Sequence, residues 1–529
     1  MRLHTRGAAV AFAMAFAASG TALAQKSGGT LRVYNTSNPP SASILEEVTI
    51  ATVMPFMAVF NNLVLLDQHR AHNSLEGIVP ELADSWAWDA SATKLTFKLR
   101  QGVKWHDGKP FTAKDVRCTW QRLLGKEDDF RKNPRRVWYA NLEDVTVDDD
   151  YQATFHLTKP QPALIMLLGS GMAPVYPCHV PAKDMRTHPI GTGPFKFVEF
   201  RANDAIKLVR NSDYWRPGRP YLDGIDWRII PNRATRVLAF VAGEFDLTFV
   251  GDVTVPISKQ LATQAPQAQC GLVPTNVTTN LIVNRDIPPF NDPDIRRAMM
   301  LGLDRQGFIN ILSEGKAAIS GAMMPLPNGN WGMPADMLQS LPGYAGELDA
   351  RQAEARAIME RAGYGPNKRL KVKVSTRDFQ AYKDPAVILV DQLNKIHFDA
   401  ELEIIESSVW FGRMVKKNYS VGLNLTGAAI DDPDSMLKEN YACDSENNFT
   451  KYCNPEVEKL LDAQSQEADA SLRKKLVWAI ERKLAEDVAN PIISHGVSNT
   501  CWQPYVKGHV QHANSIYNNW RFEDVWLDR

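Results

Sequence analysis

Between residues 369 and 405 the chain reads as strand, helix, strand: 369–375 extended, 385–396 helical and 400–405 extended again. Two strands of one sheet joined through a helix must be parallel, with a right-handed crossover. That run excludes an all-antiparallel sandwich and sets the class as α/β. The rest of the chain mixes its elements in the same way. Residues 28–35 read as a strand bounded by glycines. Residues 95–100 and 103–105 alternate apolar with polar, and His106, Asp107, Gly108 and Lys109 supply a turn. Thr112 with Asp115 three residues on is a capping-box start for a helix. A strand pair is expected over 142–157. A second hairpin, 195–200 with 205–210, turns at Asn203 and Asp204. Residues 226–230 predict a strand. Helices are expected over 233–242, 292–303 and 350–363, and two more over 455–485, while the tail from 492 mixes strand and turn.

At 529 residues the chain is too long for one hydrophobic core, so two or three domains are expected. Lys and Arg together number 60 and Asp and Glu 60, which leaves no global field to hold nucleic acid or anionic lipid. Arg2, His4 and Arg6 precede an uncharged, Ala-rich stretch over 7–24 that closes on Ala22-Leu23-Ala24. This is the pattern of a secretory leader, with cleavage expected before Gln25 and the product exported to the periplasm. No Cys follows that point directly, so no lipid anchor is expected, and no later stretch is apolar enough to span a membrane. An oxidising compartment permits disulfides. Cys443 and Cys453 flank a short polar loop and form the best pair; Cys118, Cys178, Cys270 and Cys501 carry no assignment.

The chemistry of common enzymes is missing. There is no G-x-S-x-G elbow, no P-loop, no dinucleotide-binding G-x-G-x-x-G after a strand and no H-E-x-x-H. His69 and His72 lack a carboxylate partner at ligand spacing, and no Cys-x-x-Cys occurs, so no metal site is expected. The His106-Asp107 pair sits in a turn and reads as turn chemistry. No catalytic residue and no cofactor is assigned.

PELADSW at 80–86 runs into GVKWHDGKPFTAKDV at 102–116. GTGPFKF follows at 191–197, NSDYW at 211–215, PPFNDPDIRR at 288–297, AGY at 362–364 and NPEV at 454–457. In these segments and their order the chain resembles the family 5 extracellular solute-binding proteins, the binding components of dipeptide, oligopeptide and nickel ABC importers. The resemblance implies a two-lobed periplasmic binding protein of the large, three-subdomain type II form. Lobe one would comprise residues 25–62, 190–285 and 495–529, with a subdomain of 63–189 inserted into it. Lobe two would be 286–494, and the hinge strands would lie near Asn284 and His495. It also implies a monomer without catalysis, whose partners are a small-molecule or peptide-like ligand and the permease subunits of an importer. No His or Cys grouping commits it to nickel or haem. A receptor or chaperone on the same fold, or a periplasmic hydrolase, are the competing readings.

The resemblance also points to residues. In peptide-binding relatives an Asp three positions before an acidic-Pro pair holds the ligand ammonium. Here that position is Ala429, and the associated Trp position is Thr426. The missing anchor disfavours an ordinary free-amine peptide, since a buried ammonium without a carboxylate is costly. Asp431 is a candidate substitute; its other reading is a turn cap before Pro433. Dipeptide-binding relatives grip the ligand carboxylate with an Arg just after a strand, and Arg377 in STRDF (375–379) corresponds within one residue. The planar guanidinium suits that task, donating two parallel hydrogen bonds. With Ala429 and Arg377 both at the cleft, the expected ligand carries a carboxylate and no amine. Further wall candidates are Tyr34 and Asn35 at the end of the first strand, Asn280 near the hinge, Trp331 in a Pro- and Gly-rich loop, and Trp410 with Phe411.

Overall fold

The computed structural model describes residues 25–529. The leader expected over 1–24 and its cleavage site before Gln25 fall outside or at the edge of the described residues. In the first lobe Thr30–Asn35 lies parallel to Gly224–Ile229, followed by Ala205–Arg210 and Phe195–Arg201 in antiparallel order. Asn203 turns that hairpin at φ 60, a left-handed conformation that Asn tolerates. A second, fully antiparallel sheet takes Ala83–Trp88, Lys94–Leu99, Gln152–Leu157 and Leu142–Asp149. The helix Ala113–Leu123 packs on it. Thr112 and Asp115 cap that helix reciprocally, with the Thr112 N–H donating to Asp115 Oδ2 at 2.9 Å.

Residues 103–105 form no strand. The Trp105 N–H donates to the Lys109 carbonyl and the Gly108 N–H to that of Trp105, each at 2.8 Å. The turn therefore closes before a ladder can extend, and the buried Trp105 indole anchors it to Asp115 at 3.3 Å. His106 ties the turn to the GTGP segment. Its Nδ1 accepts from the Gly191 N–H at 3.3 Å and its Nε2 lies 3.0 Å from the Gly193 carbonyl. Burial lowers its pKa to about 4, so the ring is neutral and donates through Nε2. Gly191 itself is required by close approach: a Cβ there would stand 1.8 Å from the Val59 carbonyl oxygen.

The second lobe is built on five strands in the order Phe398–Ile405, Leu370–Arg377, Val421–Gly427, Gln269–Val283, Ile492–Trp502. The first two are parallel, from Leu370 opposite Phe398 to Arg377 opposite Ile405, and the helix Gln380–Asn394 connects them. That helix starts five residues before Pro385, which lies inside it. The Phe379 carbonyl has already accepted from the N–H groups of Tyr382 and Lys383, so the turn is closed before the proline arrives.

The 15-residue strand Gln269–Val283 serves both lobes. Residues 269–274 pair with 497–502, whereas 277–283 pair with 421–427. Its register against Ile492–Trp502 is broken between Pro274 and Thr278. Hydrophobic packing follows the same division. One core cluster draws on residues 31–261 and the tail 501–527, joined by Ala429 and Ile430; another draws on 281–493. Disulfides join Cys118 to Cys178, Cys270 to Cys501 and Cys443 to Cys453. Cys270 and Cys501 stand directly opposite each other in the shared strand pair. Among the described residues no helix is long and apolar enough to cross a membrane.

Candidate ligand-binding site

Ligands of open α/β sheets bind beyond the carboxyl ends of the strands. Leu370–Arg377 ends on Arg377, and there a cavity of about 200 Å³ lies between the lobes. Its second-lobe wall is largely aromatic, with Phe379, Tyr382, Phe411 and Phe449. Thr49, Phe249 and Tyr517 close it from the first lobe, and Thr275, Val277 and Ser498 of the shared strands form its floor. Contacts across the cleft hold a closed arrangement. Arg233 pairs with Asp384 at 3.2 Å, the Gln161 amide donates to Asp434 at 2.8 Å, and Phe249 meets Phe379 edge-on.

Arg377 is 4% exposed. Its Nε donates to Ser407 Oγ at 3.0 Å, and its Nη2 reaches Ser37 and Thr49 of the first lobe at 3.4 and 3.5 Å. The guanidinium carbon lies 5.6 Å from the Phe379 ring, 5.7 Å from Tyr382 and 5.4 Å from Phe411. Among the described residues no carboxylate lies within the 4.0 Å of an ion pair. A buried guanidinium with rings and hydroxyls around it, but no counter-charge, is poised for an anionic group.

Glu439 is the acid on the same cavity wall. It opens the single helical turn Glu439–Tyr441, which continues the π-turn Asp434–Lys438. Its Oε2 accepts from Trp138 Nε1 at 2.9 Å and its Oε1 from the Asn447 amide at 2.6 Å. Burial raises its pKa to about 7, with Arg135 acting against the rise. Tyr517 comes from the carboxyl-terminal tail and lies flat on Gly427. A Cβ at that glycine would stand 3.0 Å from the phenol oxygen, so the close approach depends on the glycine.

Of the residues singled out in the sequence, Arg377, Phe411 and Thr426, the position of the relatives' Trp, line this cavity. The other candidates lie away from it. Trp410 is fully buried behind the wall, edge-on to Tyr382. The Tyr34 hydroxyl donates to Asp252 at 3.0 Å, and the Asn35 amide to the Ala51 carbonyl at 2.8 Å. Asn280 accepts from Thr278 at 2.8 Å within the sheet. Trp331 donates to the Asp431 carbonyl at 3.0 Å and stacks on Arg473. The Ala429 carbonyl accepts from Ser515 and Asn518, each at 2.7 Å, so the chain there is fastened to the tail. The Asp431 carboxylate turns to the loop of Trp331 and accepts from the Asn330 N–H at 2.8 Å. Burial raises its pKa to about 7. Glu439, Tyr517 and Thr49 carry no local sequence signal, because each reaches the cavity only through chain reversals.

Comparison with known proteins bears on this geometry. The family model for the bacterial extracellular solute-binding proteins, family 5 (middle region), matches residues 77–448. The oligopeptide-binding protein AppA of Bacillus subtilis is 26% identical over 486 residues, covering 86% of this chain and 83% of its own. Haemophilus influenzae OppA, solved in complex with RPPGFSPFR, superposes with a TM-score of 0.84 at 22% identity, over 95% of this chain and 99% of that one. The binding protein AgaA of A. tumefaciens R10, in complex with agropinic acid, superposes with a TM-score of 0.82 at 22% identity, over 95% and 99%.

Proposed function

This chain belongs to the bacterial extracellular solute-binding proteins, family 5, and from that premise we propose that it captures a small carboxylate-bearing solute between its lobes and delivers it to an ABC permease. The observation that carries the reading is Arg377, a buried cation on the cavity wall with no carboxylate of its own. A ligand carboxylate completes it. The bidentate geometry open to a guanidinium adds orientation as well as attraction. Because Arg377 already touches Ser37 and Thr49 across the cleft, a ligand held there contacts both lobes and stabilises the closed state over the open one. At about 200 Å³ the cavity is smaller than the roughly 300–1,000 Å³ of drug-sized pockets, which supports a small solute over a long peptide. The agropinic acid held by AgaA and the peptides of other relatives are carboxylate ligands on the same fold.

We assign residues 25–62, 190–285 and 495–529 to lobe one, 63–189 to the inserted subdomain and 286–494 to lobe two, with the two shared strands as hinge. The protein works as a monomer in the periplasm after loss of its leader and makes or breaks no bond. The test is a thermal-shift screen of residues 25–529 with dipeptides, N-acyl amino acids and sugar acids, each beside its carboxamide. Ligands that bind the folded state raise its midpoint. The acids are expected to raise it, their amides not, and Arg377→Leu to abolish the shift. Equal shifts from acid and amide would refute the proposal.

A further inference from the structure

We infer that Glu439 is a second ligand anchor, so that the solute is a zwitterion whose cationic nitrogen pairs with Glu439 while its carboxylate pairs with Arg377. This rests on the carboxylate reading above and adds the other half of the ligand.

Most of the buried acids have a guanidinium within reach: Asp252 has Arg236, Glu81 has Arg521, Asp432 has Arg473, and Glu523 has Arg216. The buried Asp431 and Glu481 and the half-buried Glu439 form no ion pair among the described residues. Asp431 faces Asn330, and Glu481 accepts from the Met323 N–H at 2.8 Å inside packed protein. Of these three only Glu439 lines the cavity. Each of its oxygens holds a single donor, Trp138 or Asn447, and a carboxylate oxygen can accept more than one.

The groups facing Glu439 leave it available. From the segment before Trp138, Arg135 contributes a favourable charge. Its own donors, however, are spent on the carbonyls of Ile44 at 2.7 Å and Glu47 at 3.0 Å, and it forms no ion pair with Glu439. From the tail comes Tyr517, whose phenol is neutral because burial raises its pKa. From its own loop comes the uncharged Asn447. No ion pair joins Glu439 to Arg377, so the cavity presents one acid and one base at separate points of its wall. A simple anion would satisfy the base and leave the acid unpaired; a zwitterion satisfies both. The ammonium anchor absent at Ala429 is thereby supplied ten residues later, from a different element.

One consequence is linkage to pH. With its pKa raised to about 7, Glu439 must be ionised to pair with a cation. Affinity for the zwitterion therefore falls as pH drops below about 7. Arg135 stays charged and Tyr517 and Tyr382 stay neutral over that range.

The experiment is isothermal titration calorimetry on residues 25–529 with Ala-Ala and Ala-Phe against their N-acetyl counterparts, from pH 5.5 to 7.5. N-acetylation removes the cation and keeps the carboxylate. The free-amine probes are expected to bind at least tenfold more tightly at pH 7.5. That advantage should shrink towards pH 5.5, while the N-acetyl probes hold steady, and Glu439→Gln should erase it. The acetylation contrast and the pH profile on the unaltered protein need no variant, so a poorly folded Glu439→Gln would not rescue the idea. N-acetyl probes binding as well as or better than free amines would overturn Glu439 as anchor and leave the carboxylate reading standing. Binding by neither set would overturn both.

Discussion

Two buried guanidiniums in the second lobe live under opposite conditions. Arg473 meets Asp432 through both terminal nitrogens at 2.7 and 2.8 Å, donates from Nε to the Gln464 carbonyl at 2.9 Å, and lies under Trp331. Arg377 is about as deeply buried, yet has hydroxyls, three rings and an open cavity for neighbours. The carboxylates repeat the contrast, Asp432 being answered by a cation within the protein and Glu439 not. A charge compensated inside the chain belongs to folding. A charge left uncompensated at a cavity burdens folding and is available to a guest.

The largest effect that could break this comparison is on stability. Arg473→Leu strands Asp432 beside Asp434 and is expected to destabilise the fold by about 3–5 kcal/mol, read from urea unfolding. An unchanged midpoint would mean that the ion pair carries nothing. Arg377→Leu should do the reverse, leaving unfolding within about 1 kcal/mol of the parent while weakening carboxylate binding by about 2–5 kcal/mol in calorimetry. A large loss of stability there would place Arg377 in the same class as Arg473.

The loop closed by Cys443 and Cys453 carries Asn447, which holds Glu439, and Phe449 of the cavity wall. Replacing both cysteines by serine should cost about 2–3 kcal/mol on the chain-entropy account and weaken ligand binding. Full binding in the double variant would show the wall to be held by other contacts. The smallest effect is a slope. Asp431 has its folded pKa raised to about 7, above the unfolded value, so its contribution is present at low pH and lost as pH rises from about 4 to 7. Asp431→Asn should flatten the decline in stability over that window by at most about 1.4 kcal/mol per pH unit, as measured by unfolding at fixed pH steps. An unaltered slope would show that Asp431 titrates as an ordinary acid.

What the sequence discloses depends on how local the cause is. The parallel pair around Gln380–Asn394 and the Thr112 cap are legible because spacing within one or two dozen residues decides them. Arg377 is legible through motif order, since it closes a strand. Glu439 is not, because its importance comes from Trp138 and Asn447 arriving from elsewhere and from the lack of a cation beside it. Tyr517 reaches the cavity from the far end of the chain. The same limit separates the cysteines. Ten residues part Cys443 from Cys453, so that pair suggests itself. The partners Cys118 with Cys178, and Cys270 with Cys501, stand 60 and 231 residues apart, and only the tertiary register brings them together.

The interruption of register between Pro274 and Thr278 has a mechanical consequence. In an unbroken ladder, bending a strand pair tears hydrogen bonds, and a joint made of one would be stiff. Here the stretch facing the cavity floor lacks those rungs, while the Cys270–Cys501 staple holds the strands together on the first-lobe side. The strand pair is thus freed of rungs over that stretch and clamped beside it, so a bend there costs few backbone hydrogen bonds.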